Sequence, residues 1–200
     1  MLSSVDQRKC ILFVISLVRC IVPRPDETIG KIPERAGGPP NMRELVDLHW
    51  TTVYRLLYRL TGNVHDSEDL TQETFLRAME RLGSLRPRSN LRAWLLKIAT
   101  NAFFDVHRRR KTAAIRVLEV EPAAPDAYPG RAVEAAELNE LLTAAIAALP
   151  EKTRVVFLLR AREGLSFREI AEVVGVSEET ARWHMLQARK NLLARLNGKL

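Results

Sequence analysis

Arg182, with Glu178 and Glu179 just before it and Arg189, Lys190 and Arg195 after it, forms the set of side chains in this sequence best suited to chemistry. That chemistry is hydrogen bonding to nucleic acid. A guanidinium can fork onto guanine, a carboxylate can accept from the cytosine N4 amine, and cations further along a helix meet phosphates. The surrounding stretch, Leu165–Leu193, has the form of a positioning device. A short helix over Ser166–Val174 meets a tight turn at Gly175, and a second helix starts at Ser177. Ala171 lies four residues before Gly175, so a small side chain sits where the two helices must cross. This is the helix-turn-helix arrangement, whose second helix enters the major groove. An ordinary helical hairpin is the plainer alternative, and the basic residues after the turn favour DNA.

The second helix divides into faces. Ala181, Met185, Ala188 and Leu192 recur at helical spacing and are expected in the core. Glu179, Arg182, Trp183, Leu186, Gln187 and Lys190 then face outward, with Ser177 and Glu178 at the helix start. Trp183 and Leu186 are unusual on such a face. They suit thymine methyls or a protein partner, unless the assignment is off by one residue and they belong to the core.

A second signal is Asn90–Lys111, apolar on one face and ending in Arg108, Arg109, Arg110 and Lys111. Cations suit a helix C-terminus, but four in succession exceed what capping needs, so phosphate contact is expected. Phe103 and Phe104 lie just before the cations; one is expected in the core, and an aromatic there could stack on an unpaired base. A third signal is the acidic helix start from Asp66 to Glu73. Acids favour helix N-termini, yet Gln72 and Glu73 lie further in, and a solvated face and a partner-binding face both fit them.

These segments need helices to hold them. Apolar residues recur at three and four over Leu45–Leu60, Leu70–Leu82 (with Phe75 and Met79), Leu91–Val106 and Leu138–Leu159, with no sustained alternation of period two. The expectation is an all-α chain. Gly62, Gly83, Gly164 and Gly175 each follow a stripe, where a left-handed cap would sit. Asp66 and Asn90 suit N-caps, Ser166 with Glu169 fits a capping box, and Pro150 suits a first helical turn.

Proline and charge divide the 200 residues. Five prolines crowd between Pro23 and Pro40, and three more between Pro122 and Pro129. Arg86–Arg116 carries nine Lys/Arg against one acid, and Val117–Glu140 six acids against Arg131. The reading is two small helical domains, 42–112 and 138–197, joined by a flexible acidic linker at 113–137. Residues 1–41 match neither block. A basic Arg8-Lys9 before thirteen apolar residues faintly resembles a secretory signal, but Arg19 interrupts the run and no clear small-residue cleavage site follows.

Several classes are excluded or disfavoured. The net charge of +7 permits a polyanion partner without requiring one. The apolar run Cys10–Val22, interrupted by Arg19, is too short for a bilayer that needs about 20 helical residues. Two cysteines make no disulfide scaffold, and His49, His65, His107 and His184 stand at no ligand spacing. With no nucleophile constellation and no Gly-rich phosphate loop, an enzyme such as a recombinase or nuclease is disfavoured, and no cofactor, metal or small-molecule substrate is expected.

The stretches Asp69-Leu-Thr-Gln-Glu-Thr-Phe-Leu-Arg-Ala78, Leu91-Arg-Ala-Trp-Leu-Leu-Lys-Ile-Ala-Thr-Asn101-Ala-Phe-Phe-Asp105 and Leu149-Pro-Glu with Val155–Leu159 and the helix-turn-helix resemble bacterial sigma factors of the sigma-70 family. The compact layout resembles the extracytoplasmic-function (ECF) branch. The resemblance runs from about Met42 to Leu196, and Met42 sits where relatives usually begin, which implies that residues 1–41 are a mis-assigned start or a disordered extension. It implies a cytoplasmic transcription initiation factor that binds core RNA polymerase, recognises promoter DNA as duplex and as single strand, and is held by an anti-sigma protein. Carried over by position, Asp69, Leu70, Gln72, Glu73 and Phe75 would face the polymerase clamp. Pro87, Arg88, Asn90, Asn101, Asp105, Arg108, Arg109 and, from its place in the basic run, Arg110 would lie near the minus-ten strand. Ser177, Glu178, Glu179, Arg182, Trp183, Gln187, Arg189 and Lys190 would meet the minus-thirty-five element, and the last domain the polymerase flap. Trp183, His184 and Gln187 depart from the small and basic residues often found there. The rival reading is a conventional helix-turn-helix regulator that acts without polymerase.

Overall fold

The computed structural model describes residues 41–84, 90–116 and 133–196. Among them are seven α-helices, one 3-10 turn and no strand. In chain order the helices are α1 (Met42–Thr61), α2 (Val64–Arg81), α3 (Leu91–Arg116), α4 (Val133–Ala147), α5 (Glu151–Ala161), α6 (Phe167–Val174) and α7 (Glu178–Leu196). Helix α3 ends, and α4 begins, inside the 113–137 segment. The chain falls into two compact units, one containing α1–α3 and the other containing 133–170 and 177–196.

In the first unit α1, α2 and α3 pack pairwise. Asn41 caps α1, accepting from the Arg43 amide at 3.2 Å. Gly62 ends it at φ 70°, donating to the Tyr58 carbonyl at 2.8 Å; a side chain at that φ is strained, so the sequence uses glycine. Helix α2 then starts earlier than the sequence suggests. Its N-cap is Asn63, whose side chain accepts from the Asp66 amide at 3.1 Å. Asp66 is therefore not the cap but an acid of the first turn, free to pair elsewhere. Leu45, Val53, Leu56, Leu57 and Leu60 of α1 are buried, as are Leu95, Leu96, Ile98, Ala99, Ala102 and Phe103 of α3. Buried hydroxyls are satisfied within their own helix: Thr71 donates to the Ser67 carbonyl at 2.6 Å and Thr74 to that of Leu70 at 2.7 Å. Gly83 is no left-handed cap; it lies in the 3-10 turn Leu82–Ser84 that extends α2.

In the second unit α4 and α5 pack on α7. Val155, Val156, Leu158 and Leu159 are buried, and so are Ala181, Met185, Ala188 and Leu192. Pro150 stands one residue outside α5, as its N-cap, and its carbonyl accepts from the Arg154 amide at 2.8 Å. Its missing N–H costs nothing there either. Gly164 has φ 69°. The capping box forms as expected: Ser166 N donates to Glu169 Oε2 at 2.8 Å, and Glu169 N to Ser166 Oγ at 3.2 Å. Helix α6 ends at Gly175, φ 71°, where the amides of Gly175 and Val176 both donate to the Ala171 carbonyl at 2.9 and 3.1 Å. Ser177 then caps α7 through the Thr180 amide at 3.1 Å. Two caps around one left-handed glycine give the helix-turn-helix its bend.

Candidate nucleic-acid interface

Packing of α7 fixes what it exposes. With Ala181, Met185, Ala188 and Leu192 turned inward, Trp183 and Leu186 are 54% and 48% exposed. The off-by-one alternative therefore falls, and the two belong to the outer face. Arg182 and Lys190 are exposed beside them, Glu179 is exposed near the helix start, and Gln187 and Arg189 are half-buried. The backbone N–H of Glu179 and the Ser177 hydroxyl hold the Glu179 carboxyl below the usual range. Glu178 pairs with Arg182 one turn on. His184 leaves this face: its Nδ1 is 3.0 Å from the Thr153 hydroxyl, and burial followed by the charge of Lys152 lowers its pKa. The Arg189 Nε is buried without a hydrogen-bond partner among the described residues.

Helix α3 sorts its cations less generously than the sequence implies. Asn90 caps it, accepting from the Ala93 amide at 3.1 Å, as expected. Asn101 is exposed. Asp105, expected near DNA, pairs with Arg108 at 3.1 Å and with Arg77 of α2 at 3.5 Å. Arg110 forks onto both oxygens of Asp66 at 2.7 Å. Asp105 and Arg110 thus link α3 to α2 through ion pairs at the surface. Arg108, Arg109, Arg110 and Lys111 are all exposed at this end. Phe103 is core, and Phe104 half-buried. Lys97, not singled out in the sequence, is exposed one turn before Asn101; their spacing of four was the available signal. Pro87 and Arg88 lie outside the described residues.

On α2, Asp69 and Gln72 are exposed, and Glu73 is half-buried and bonded to Arg77 at 2.6 Å. Leu70 and Phe75 are corrected: both are buried, and the Phe75 ring stacks on Trp50 at 5.4 Å between centroids. They hold α2 in place and do not face outward. Leu76 and Met79, at 58% and 56% exposure, take that outer place instead. Residues 67, 70, 71, 74, 75 and 78 make up the inner face, and positions 76 and 79 fall outside it. Met79 was expected in the inner stripe, and Leu76 was missed.

Among the described residues no group of three His, Cys, Asp or Glu could hold a metal, and no helix is long and apolar enough to cross a membrane.

Sequence comparison matches the Sigma-70 region 2 family at residues 45–113 and the Sigma-70, region 4 family at 139–192. ECF RNA polymerase sigma factor SigE of Mycolicibacterium smegmatis is 38% identical over 156 residues, covering 76% of this chain and 60% of SigE. ECF RNA polymerase sigma factor SigW of Bacillus subtilis is 30% identical, covering 81% of this chain and 92% of SigW. Among solved structures, the sigma factor RpoE of Bartonella quintana, in complex with the anti-sigma factor NepR, superposes with a TM-score of 0.68 at 22% identity, over 79% of this chain and 98% of that one. That likeness is one of fold. Region 2 followed by region 4 defines the sigma-70 class of transcription factor. The chain belongs to the ECF RNA polymerase sigma factors. It is a DNA-binding regulatory subunit that serves RNA polymerase at promoters, and the rival of a regulator acting without polymerase is not favoured, since it leaves region 2 unexplained.

Proposed function

We propose that the chain directs core RNA polymerase to its promoters through three surfaces. The outer face of α2, with Asp69, Gln72 and Glu73 beside Leu76 and Met79, docks on the polymerase clamp. An exposed apolar pair rimmed by polar groups has the composition of a protein interface, which supports this reading. The outer side of α3, from Asn90 through Lys97 and Asn101 to Arg108 and Arg109, takes the opened minus-ten strand, with Phe104 available to stack on an unpaired base. Pro87 and Arg88 join it by their place in the sequence.

The helix-turn-helix takes the minus-thirty-five duplex. Arg182 reads a base edge; Ser177, Glu178, Glu179, Trp183 and Gln187 adjoin the groove; Lys190 and Arg189 meet phosphates. The same unit docks on the polymerase flap. Segments 42–112 and 138–197 act as the working domains around the 113–137 linker. The chain contributes no bond-making chemistry of its own and acts in the cytoplasm beside polymerase. RpoE is solved with an anti-sigma factor, and we extend a partner of that kind to this chain.

The observation that carries the reading is the exposed, base-length side chains of α7 on a helix-turn-helix whose chain also holds a region 2. Run-off transcription tests it. Core polymerase supplemented with this chain is expected to initiate from specific sites in a genomic fragment library. Initiation no better than with core alone would overturn the assignment.

A further inference from the structure

Phe167 opens α6 and is only half-buried, although a phenyl ring gains most from full burial. Its ring has two cationic neighbours. The guanidinium carbon of Arg160 lies 4.9 Å from the ring centroid, and that of Arg182 lies 4.7 Å from it. The face of a phenyl ring is electron-rich and attracts a guanidinium placed over it.

The ring itself is well fixed. Ser166 and Glu169 cap the helix that Phe167 begins. Arg160 of α5 donates through Nη1 to the Leu165 carbonyl at 2.8 Å, anchoring the chain just before the cap. Arg182 is otherwise unconstrained by burial, with a side chain 60% exposed. Its second hold is the ion pair with Glu178.

The two holds differ in what they leave available. The Glu178 carboxylate takes a donor on Nη2, which a base edge would also need. The ring takes no conventional hydrogen bond, so it restrains the guanidinium while leaving its donors for DNA. An arginine that must set two donors on one base edge loses rotamer freedom in doing so, and restraint beforehand lessens that loss.

We infer that Phe167 is a positioning residue for Arg182, holding its guanidinium at the start of α6 so that the recognition helix meets the promoter with its base-reading group already placed. The inference rests on the assignment of Arg182 to the minus-thirty-five duplex.

The test uses holoenzyme reconstituted from core polymerase and the full chain, incubated with promoter fragments randomised across the upstream element, the bound fraction being sequenced. Arg182→Ala is expected to erase the preference at one base pair. Phe167→Leu is expected to weaken that same preference roughly two- to fivefold while sparing the other positions. Phe167→Tyr, which keeps the ring, is expected to restore it. An undiminished preference in Phe167→Leu overturns the inference, as does an equal loss at every position, which is the mark of a structural role. If Arg182→Ala alters no preference, Arg182 is not the reader and the inference falls with that assignment. Initiation by the wild-type holoenzyme on the same fragments judges the sigma-factor reading separately.

Discussion

Arg110, near the end of α3, sets its two terminal nitrogens 2.7 Å from the two carboxylate oxygens of Asp66, 44 residues away in the first turn of α2. A cation of the basic run thereby also clasps two helices together. The hydrogen bond from Arg110 holds the Asp66 carboxyl below its usual range, against the opposing effect of partial burial.

The clasp gives a pH-dependent stability. The folded carboxyl is more acidic than the unfolded one, so its contribution is present above the ordinary value of 3.8 and is lost as pH falls through the lower, folded value. The Arg110 side chain is 60% exposed, which screens the pair. Asp66→Asn is expected to cost about 0.5–1 kcal/mol at pH 7. In urea titrations the gap from wild type should close below the carboxylate range; a gap that persists at pH 2 would show that the charge is not its source.

Phe75 is buried against Trp50 rather than turned outward. Phe75→Ala is expected to lower stability by about 3–5 kcal/mol through the cavity it leaves. Gln72→Ala, on the exposed side, is expected to stay within about 0.5 kcal/mol of wild type. Thermal unfolding of the two variants checks this, and equal midpoints would return Phe75 to the surface.

Leu76 and Met79 should carry partner binding without carrying the fold. The double substitution Leu76→Ala with Met79→Ala is expected to leave the unfolding midpoint nearly unchanged and to lower affinity for core polymerase about tenfold or more, as buried apolar anchors of an interface do. Gln72→Ala with Glu73→Ala is expected to lower it less, since rim polar contacts contribute less. Competition against a labelled sigma factor for core enzyme measures both.

His49 is 4% exposed, and its Nε2 has no hydrogen-bond partner among the described residues. Burial, and then the charge of Arg92, lowers its pKa below the ordinary 6.5. The unfolded chain therefore binds a proton more readily than the folded one, and stability declines as pH falls below 6.5 towards the lower folded value. Replacing His49 by Gln is expected to flatten stability between pH 7 and pH 5, whatever its absolute cost. Denaturation midpoints with the same slope in both proteins would remove His49 as the cause.

The sequence by itself determined whatever depends on neighbours along the chain. Helical spacing picked out Ala181, Met185, Ala188 and Leu192 as the buried side of α7, while the packed structure was needed to place Trp183 and Leu186 outside it. Hydrogen bonding within three residues set the caps at Asn90, Ser166 and Ser177. Only the tertiary structure decided which charges are already spoken for and which apolar groups are covered. Arg110 meets Asp66, Asp105 meets Arg77, and Phe167 meets Arg182. Leu70 and Phe75 face the core while Leu76 and Met79 do not. Periodicity states that a helix has an inner face, but the angle at which packed helices cross fixes where that face ends and which distant side chain meets it.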